Sequence, residues 1–359
     1  MESFGNGLRQ AASVVCRAQQ FTDIVDRVKT PVKARRFDCL TGETVCLYSQ
    51  SIGLSLERSS WACRETQPQE RSMTILVTGA TGSVGRTVVE QLVKRGADVR
   101  ALVRDPAKAN LPASVEVVQG DLLDVDSLRS AYAGISTLFL LNAVVPDEFT
   151  QALIALNLAR EAGIERVVYL SVIHSDLYVN VPHFAGKYGV ERMIEQMGFN
   201  ATILRPAYFI QNDLTIKDVI TGYGVYPMPI GSKGIAMVDA RDIGEIGAIE
   251  LVRRETTAAP LPLTRINLVG PDTLTGTDVA AIWTEVLGRP IAYPGDNTAG
   301  FEKNLRQFMP SWMAFDMRLM GERFLTEGML ADTGDVTRLT TLLGRPPRSY
   351  RNFAKEIAA

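Results

Sequence analysis

Val77-Thr78-Gly79-Ala80-Thr81-Gly82-Ser83-Val84-Gly85-Arg86 is the stretch on which the reading of the fold turns. Ahead of it, Met73 to Val77 is a short apolar run rich in branched residues, the composition of a strand buried in a parallel sheet. Behind it, apolar residues recur with helical period through Lys94 until Gly96 closes the run. Strand, glycine turn and helix in that order aim a helix N-terminus and bare backbone N–H groups at a pyrophosphate. In such a loop Gly79 permits the tight turn, Gly82 lets phosphate approach the backbone and Gly85 lets the helix pack closely on the strand. Gly79, Thr81, Gly82, Ser83, Val84, Gly85 and Arg86 are therefore the expected dinucleotide-binding residues.

Downstream, strand-like and helix-like segments alternate. Asp98–Val103, Val115–Val118, Thr137–Leu141, Arg166–Ser171 and Ala201–Leu204 read as further strands. Helices are expected at about 124–133, 147–162 and 183–197, with Gly134, Gly163 and Gly198 just past their ends. This alternation predicts an α/β fold, a doubly wound parallel sheet of Rossmann type with a smaller C-terminal substrate region. Beyond Pro206 the rhythm loosens. Asp242-Ile-Gly-Glu245 has the spacing of a capping box, which makes Asp242 a helix cap, and Thr277 precedes a helix ending at Leu287. The Met-, Phe- and Trp-rich stretch from Phe301 to Leu330 reads as core material, of a kind that also lines adaptable apolar pockets. The expected organisation is an extension over 1–72, a nucleotide-binding domain over 73–235, and a mixed region over 236–359 that completes the sheet and forms the substrate lobe.

The 359 residues are 46% hydrophobic and 22% charged, the balance of a globular protein able to bury a full core. A net charge of -2 gives no general attraction to nucleic acid or to an anionic membrane. No apolar run approaches the roughly 18 to 20 residues of a membrane span, and no secretory signal opens the chain, so a cytoplasmic location is expected. All four cysteines, Cys16, Cys39, Cys46 and Cys63, precede Met73. Without a C-x-x-C pair or a nearby histidine they do not suggest zinc, and no metal site is expected. The first 72 residues have no sustained period and read as a disordered or non-native extension, with a regulatory arm as the alternative.

The choice of cofactor rests on the end of the second strand. An Asp or Glu there accepts from the 2′-hydroxyl of NAD. This chain has Arg104, followed by Asp105 and, a turn on, Lys108. A guanidinium matches a 2′-phosphate, so NADP(H) is expected over NAD(H), with Asp105 on the ribose as the alternative. Asp121 and Leu122 follow the third strand, where a short polar loop commonly receives the adenine; Asp121 could equally be a turn residue holding its own backbone. His174, just past the fifth strand, sits where such sheets place ligand-facing residues.

The chain resembles the atypical short-chain dehydrogenase/reductases, and in particular the NmrA-like family, over about 73 to 353. The resemblance is carried by Thr78 to Gly85, Ala101-Leu-Val-Arg-Asp-Pro106, Gly120-Asp-Leu122, His183-Phe-Ala-Gly-Lys187, Leu204-Arg-Pro206, Phe209 to Asn212 and Val238 to Asp242. It implies NAD(P) binding in a family that includes reductases of quinones and enones as well as catalytically silent redox sensors. Short-chain dehydrogenases ordinarily carry Tyr-x-x-x-Lys; here the pair is His183-x-x-x-Lys187. Spacing of four places both on one helical face. The resemblance implies that Lys187 holds the nicotinamide ribose, with a proton coming from Lys187, His183 or water. By family position, Tyr208, Phe209 and Asn212 line the pocket of a small-molecule substrate. The expected function is an NAD(P)H-dependent reductase acting on an apolar carbonyl, enone or quinone, and the alternative is a non-catalytic redox sensor acting through a protein partner.

Overall fold

The computed structural model of the chain describes residues 73–358. The expectations for residues 1–72 and their four cysteines lie outside the described residues. Seven strands form one parallel sheet: β1 (Thr74–Val77), β2 (Asp98–Val103), β3 (Glu116–Gln119), β4 (Ile135–Leu140), β5 (Arg166–Leu170), β6 (Asn200–Pro206) and β7 (Thr264–Leu268). Their order across the sheet is β3-β2-β1-β4-β5-β6-β7. The order reverses between β1 and β4, so the crevice at their carboxyl ends is where such a sheet binds ligands.

Side chains along β1 alternate between the two faces. Ile75 and Val77 join the core on one side and Leu76 the core on the other, all three without solvent exposure. Helices α1 (Ser83–Lys94), α2 (Val125–Tyr132), α3 (Glu148–Glu161) and α4 (Pro182–Gln196) follow the strands as crossovers. The last three match the sequence expectation to within one residue at each end, and α1 begins at Ser83, three residues before the helical period read from Arg86. Gly134, Gly163 and Gly198 lie just past α2, α3 and α4 with φ of 77°, 75° and 69°, the left-handed conformation that glycine adopts without a Cβ penalty.

The later part of the chain departs from expectation in three places. β7 was not foreseen as a strand. The helix containing Asp242, α5 (Ala240–Thr256), is capped by Asp239, whose Oδ1 accepts the Arg241 N–H at 2.8 Å. Asp242 lies within the first turn and instead accepts from Arg345 Nη2 at 2.9 Å and from the Arg348 N–H at 2.6 Å, tying down the C-terminal segment. Helix α6 (Gly276–Leu287) begins at a capping box of Thr275 and Asp278, two residues before the expected Thr277. Four more helices follow: α7 (Thr298–Leu305), α8 (Ser311–Thr326), α9 (Asp335–Leu343) and α10 (Tyr350–Ala358). None of the described helices is long and apolar enough to cross a membrane.

Candidate active site

The glycine loop connects β1 to α1, and each glycine there has a separate reason. Gly79 has φ 63°, and a Cβ on it would lie 2.3 Å from Leu141 Cδ2. A Cβ on Gly85 would lie 2.1 Å from the Gly79 carbonyl oxygen, so α1 approaches the loop only because this position is bare. Gly82 differs: nothing closer than the Gly79 oxygen at 3.4 Å would oppose a Cβ there. Gly82 is also the N-cap of α1, with no side chain to accept the first-turn N–H groups and no acidic residue in that turn. Such N–H groups form a ready anion site.

Thr78 fixes the loop to the neighbouring strand end. Its Oγ1 donates to the Leu141 carbonyl at 2.7 Å and accepts the Leu141 N–H at 2.8 Å. From here a groove runs over the ends of β1, β2 and β4. It comprises two adjoining cavities of about 340 and 220 Å³ that share Arg104, Gly120 and Asp121. Gly79, Thr81 and Leu122 line the second. Gly82 and Ser83 are exposed at the loop, whereas Val84 and Gly85 are buried behind it and offer only backbone. Arg86 Nη1 donates to the Asn110 carbonyl at 2.9 Å, which bridges α1 to the segment after β2.

Asp121 holds a turn and also faces the groove. Its Oδ1 accepts the Leu123 N–H at 2.9 Å in a turn of its own, while the residue lines the groove. Asp105 caps a short 3-10 turn through the Ala107 N–H at 3.2 Å and pairs with Lys108 at 2.8 Å. Neither Asp105 nor Lys108 lines the groove, which leaves Arg104 as the charged group at the β2 end facing it.

Beside the groove lies a second cavity of about 430 Å³, within the usual range for small-molecule sites. Consecutive residues face the two: Ala143 and Val145 line the groove, and Val144 lines the cavity. His183 and Lys187 both line this cavity, as do Tyr208, Phe209 and Asn212. Its opposite wall is apolar and rich in methionine, with Met309, Met317, Met320 and Phe324 from the stretch 301–330 that had read as core. His174 is not part of the lining. It takes φ 57°, and its Nε2 lies 3.1 Å from the Leu330 carbonyl.

Three polar groups that the sequence did not single out complete the site. Glu148, the first residue of α3, accepts from Lys187 Nζ at 2.6 Å, with the two side chains 7% and 10% exposed. An ammonium carries three donors, so two remain for a ligand. Asn142 Nδ2 donates to the Glu148 carbonyl at 2.8 Å, while its Oδ1, buried at the groove wall, has no partner among the described residues. Asp316 on α8 accepts both the His183 backbone N–H, at 3.0 Å, and the ring Nδ1. A pattern search along the chain could have flagged Asp316 as the lone acid on an apolar helix face; Glu148 reads there only as a first-turn acid favourable to the helix dipole. Ser171 at the end of β5 also lines the cavity, but its hydroxyl donates to Glu191 Oε1 at 2.5 Å.

At the far side of the cavity, Asp213 is fully buried, accepting from Tyr350 at 2.5 Å and Tyr208 at 3.1 Å. Burial pushes its carboxyl up to about 6, against the hydrogen bonds from Tyr350 and Tyr208 that lower it. Among the described residues no cluster of His, Cys, Asp or Glu could hold a metal ion.

A parallel sheet with a glycine loop at its switch point, and a Lys-bearing helix beside an apolar cavity, defines a Rossmann-type protein of the short-chain dehydrogenase class. The NmrA-like family model matches residues 71–330, and the chain belongs to that family. It is 29% identical to the NAD(P)H azoreductase of Xenophilus azovorans over 290 residues, 79% of this chain and 98% of that protein. It is 29% identical to quinone oxidoreductase 2 of Escherichia coli over 281 residues, covering 76% and 94% respectively. The solved structure of the Escherichia coli NADPH-dependent quinone oxidoreductase with NADPH matches with a TM-score of 0.70 at 27% identity, over 79% of this chain and all of that one.

Proposed function

We propose that this protein is an NADPH-dependent reductase that delivers hydride to an apolar carbonyl, enone or quinone. The observation that carries the reading is the open apolar cavity of about 430 Å³ lined by Val144, whose chain neighbours Ala143 and Val145 line the glycine-loop groove. A reductase needs such a space beside its cofactor; a sensor acting only through a protein partner does not. Relatives named as an azoreductase and a quinone oxidoreductase support the same reading.

The residues fit a nicotinamide dinucleotide on physical grounds. The bare Gly82 and the uncapped start of α1 suit the pyrophosphate. Arg104 suits a 2′-phosphate, which favours NADP(H) over NAD(H). The unpaired Oδ1 of Asn142 needs a donor, and a ribose hydroxyl or carboxamide would supply one. When bound, the nicotinamide supplies the hydride. Glu148 holds the Lys187 ammonium in place so that its remaining N–H groups orient the ribose, and the Met- and Phe-lined wall seats the substrate and excludes water. His183 and Lys187 line the cavity, and either would supply a proton to the reduced substrate.

Purified protein should oxidise NADPH in the presence of an apolar quinone or azo compound, with a higher kcat/KM for NADPH than for NADH. Loss of turnover in Lys187→Ala with an intact fold is expected. If neither cofactor is consumed across a broad panel of quinones, enones and azo compounds, the reading is wrong.

A further inference from the structure

Asp316 is an unusual residue for its place. It sits on α8 among Phe315, Met317 and Met320, has no solvent exposure, and among the described residues its only partner is His183. Both carboxylate oxygens are used there, one on the His183 backbone N–H and the other on ring Nδ1. The first contact substitutes for a missing cap, because Val181 at the N-cap of α4 has no side chain able to accept. The second does something a cap does not require. A carboxylate can only accept, so the hydrogen on that ring edge must lie on Nδ1. The other nitrogen, Nε2, has no partner among the described residues, and His183 lines the cavity.

We propose that Asp316 is the positioning residue that makes His183, rather than Lys187, the proton donor of the reduction. The inference rests on the reductase reading of the same cavity. Lys187 is already held by Glu148, whereas His183 has a buried carboxylate behind it and a free nitrogen ahead. With an imidazolium at 183, Asp316 retains the Nδ1 hydrogen and balances the ring charge, and Nε2–H is the proton that leaves. In reduction of a carbonyl, hydride from NADPH forms the new C–H bond as the C=O π bond breaks. Its electron pair on oxygen takes the Nε2 proton, forming O–H. The substrate gains two electrons, NADPH loses them, and His183 is left neutral until solvent returns its proton. The arrangement also explains why the missing tyrosine of the Tyr-x-x-x-Lys pattern does not leave the site without an acid.

The test uses the full chain. Asp316→Asn keeps an oxygen for the backbone N–H but can turn an amide N–H toward Nδ1, which forces the neutral ring hydrogen onto Nε2 and takes the carboxylate away from the ring. The expected result is a kcat lower by about 10²-fold or more with KM for a quinone and NADPH affinity unchanged. In His183→Gln, the added Asp316→Asn should cost no further kcat. A second readout needs no turnover: the protein has two histidines, so 15N-histidine spectra, assigned with His174→Gln, should show the neutral His183 ring in the wild type with hydrogen on Nδ1. A neutral wild-type ring with its hydrogen on Nε2 overturns the assignment, whether or not Asp316→Asn folds. So does an Asp316→Asn enzyme within three-fold of wild-type kcat. A wild type that turns over no substrate would overturn the reductase reading, a separate result from either of these.

Discussion

The Lys187–Glu148 pair decides how the nicotinamide end of the site is built, and Glu148→Gln isolates it. The substitution keeps shape and removes charge. Nζ and Oε1 are 2.6 Å apart, and the side chains are 10% and 7% exposed, so water screens the pair poorly. Removing one partner from such a pair leaves a buried charge uncompensated, at a cost of about 3–5 kcal/mol. The aromatic face of Tyr169, with its centroid 6.0 Å from Nζ, offsets only a small part of this. For a fold of this size the loss corresponds to a melting temperature lower by on the order of 10 °C. The assay is thermal unfolding of wild type, Glu148→Gln, Lys187→Met and the double variant, with and without NADPH. The double variant buries no lone charge and should recover much of the loss, giving a coupling energy of at least about 2 kcal/mol. NADPH should still raise the melting temperature of Glu148→Gln but raise that of Lys187→Met much less. If Glu148→Gln melts within 2 °C of wild type and the double variant shows no coupling, the ion pair is not the element that holds Lys187.

Other variants read other parts of the site. Arg104→Ala should weaken NADPH binding by roughly 10- to 100-fold, the scale of one charge-assisted contact, and leave NADH binding nearly unchanged; equal losses for both cofactors in fluorescence titrations would remove Arg104 from the 2′-phosphate. Gly85→Ala drives a Cβ to 2.1 Å from the Gly79 oxygen, so the loop must move, and an overpacking cost of about 1–3 kcal/mol should accompany a large loss of cofactor affinity; unchanged affinity by calorimetry would contradict the close approach. Asp213 gives a pH dependence of definite sign. Its folded-state value, raised from 3.8 to about 6, means the folded protein binds the proton more tightly. The contribution is therefore fully present below pH 3.8 and lost as pH rises through 6, by up to about 3 kcal/mol. Denaturant unfolding of wild type minus Asp213→Asn should show that fall between pH 4 and 6, and a flat or rising difference would refute it.

Much of this architecture is written locally in the chain. The strand at 74–77, the loop glycines and the first helix are neighbours in sequence, and their chemistry can be read from composition and spacing alone. His183 and Lys187 are four residues apart on one helix, so their shared face was also legible. Their partners were not. Glu148 is 39 residues from Lys187, and Asp316 is 133 from His183, distances at which no periodicity links one side chain to another. β7 escaped notice because an edge strand of five residues with intermittent burial lacks the continuous apolar run of the central strands. Asp242 misled for a related reason: its spacing to Glu245 imitates a cap, while its real partners, Arg345 and Arg348, lie a hundred residues on. The methionines of 309–329 could be recognised as buried material, but only the fold shows that the surface they cover is the wall of a cavity.

In the proposed reaction hydride passes from NADPH, held at the glycine loop, into a small molecule held in the Met-lined cavity. It is tested most directly with NADPH deuterated at C4, in each stereochemical form, and an apolar enone as acceptor, followed by mass spectrometry of the product. One of the two forms should give product carrying one deuterium on carbon, with stoichiometric formation of NADP+, and the other should give none. Product without deuterium from both forms, or unconsumed NADPH beside unreacted acceptor, would contradict it.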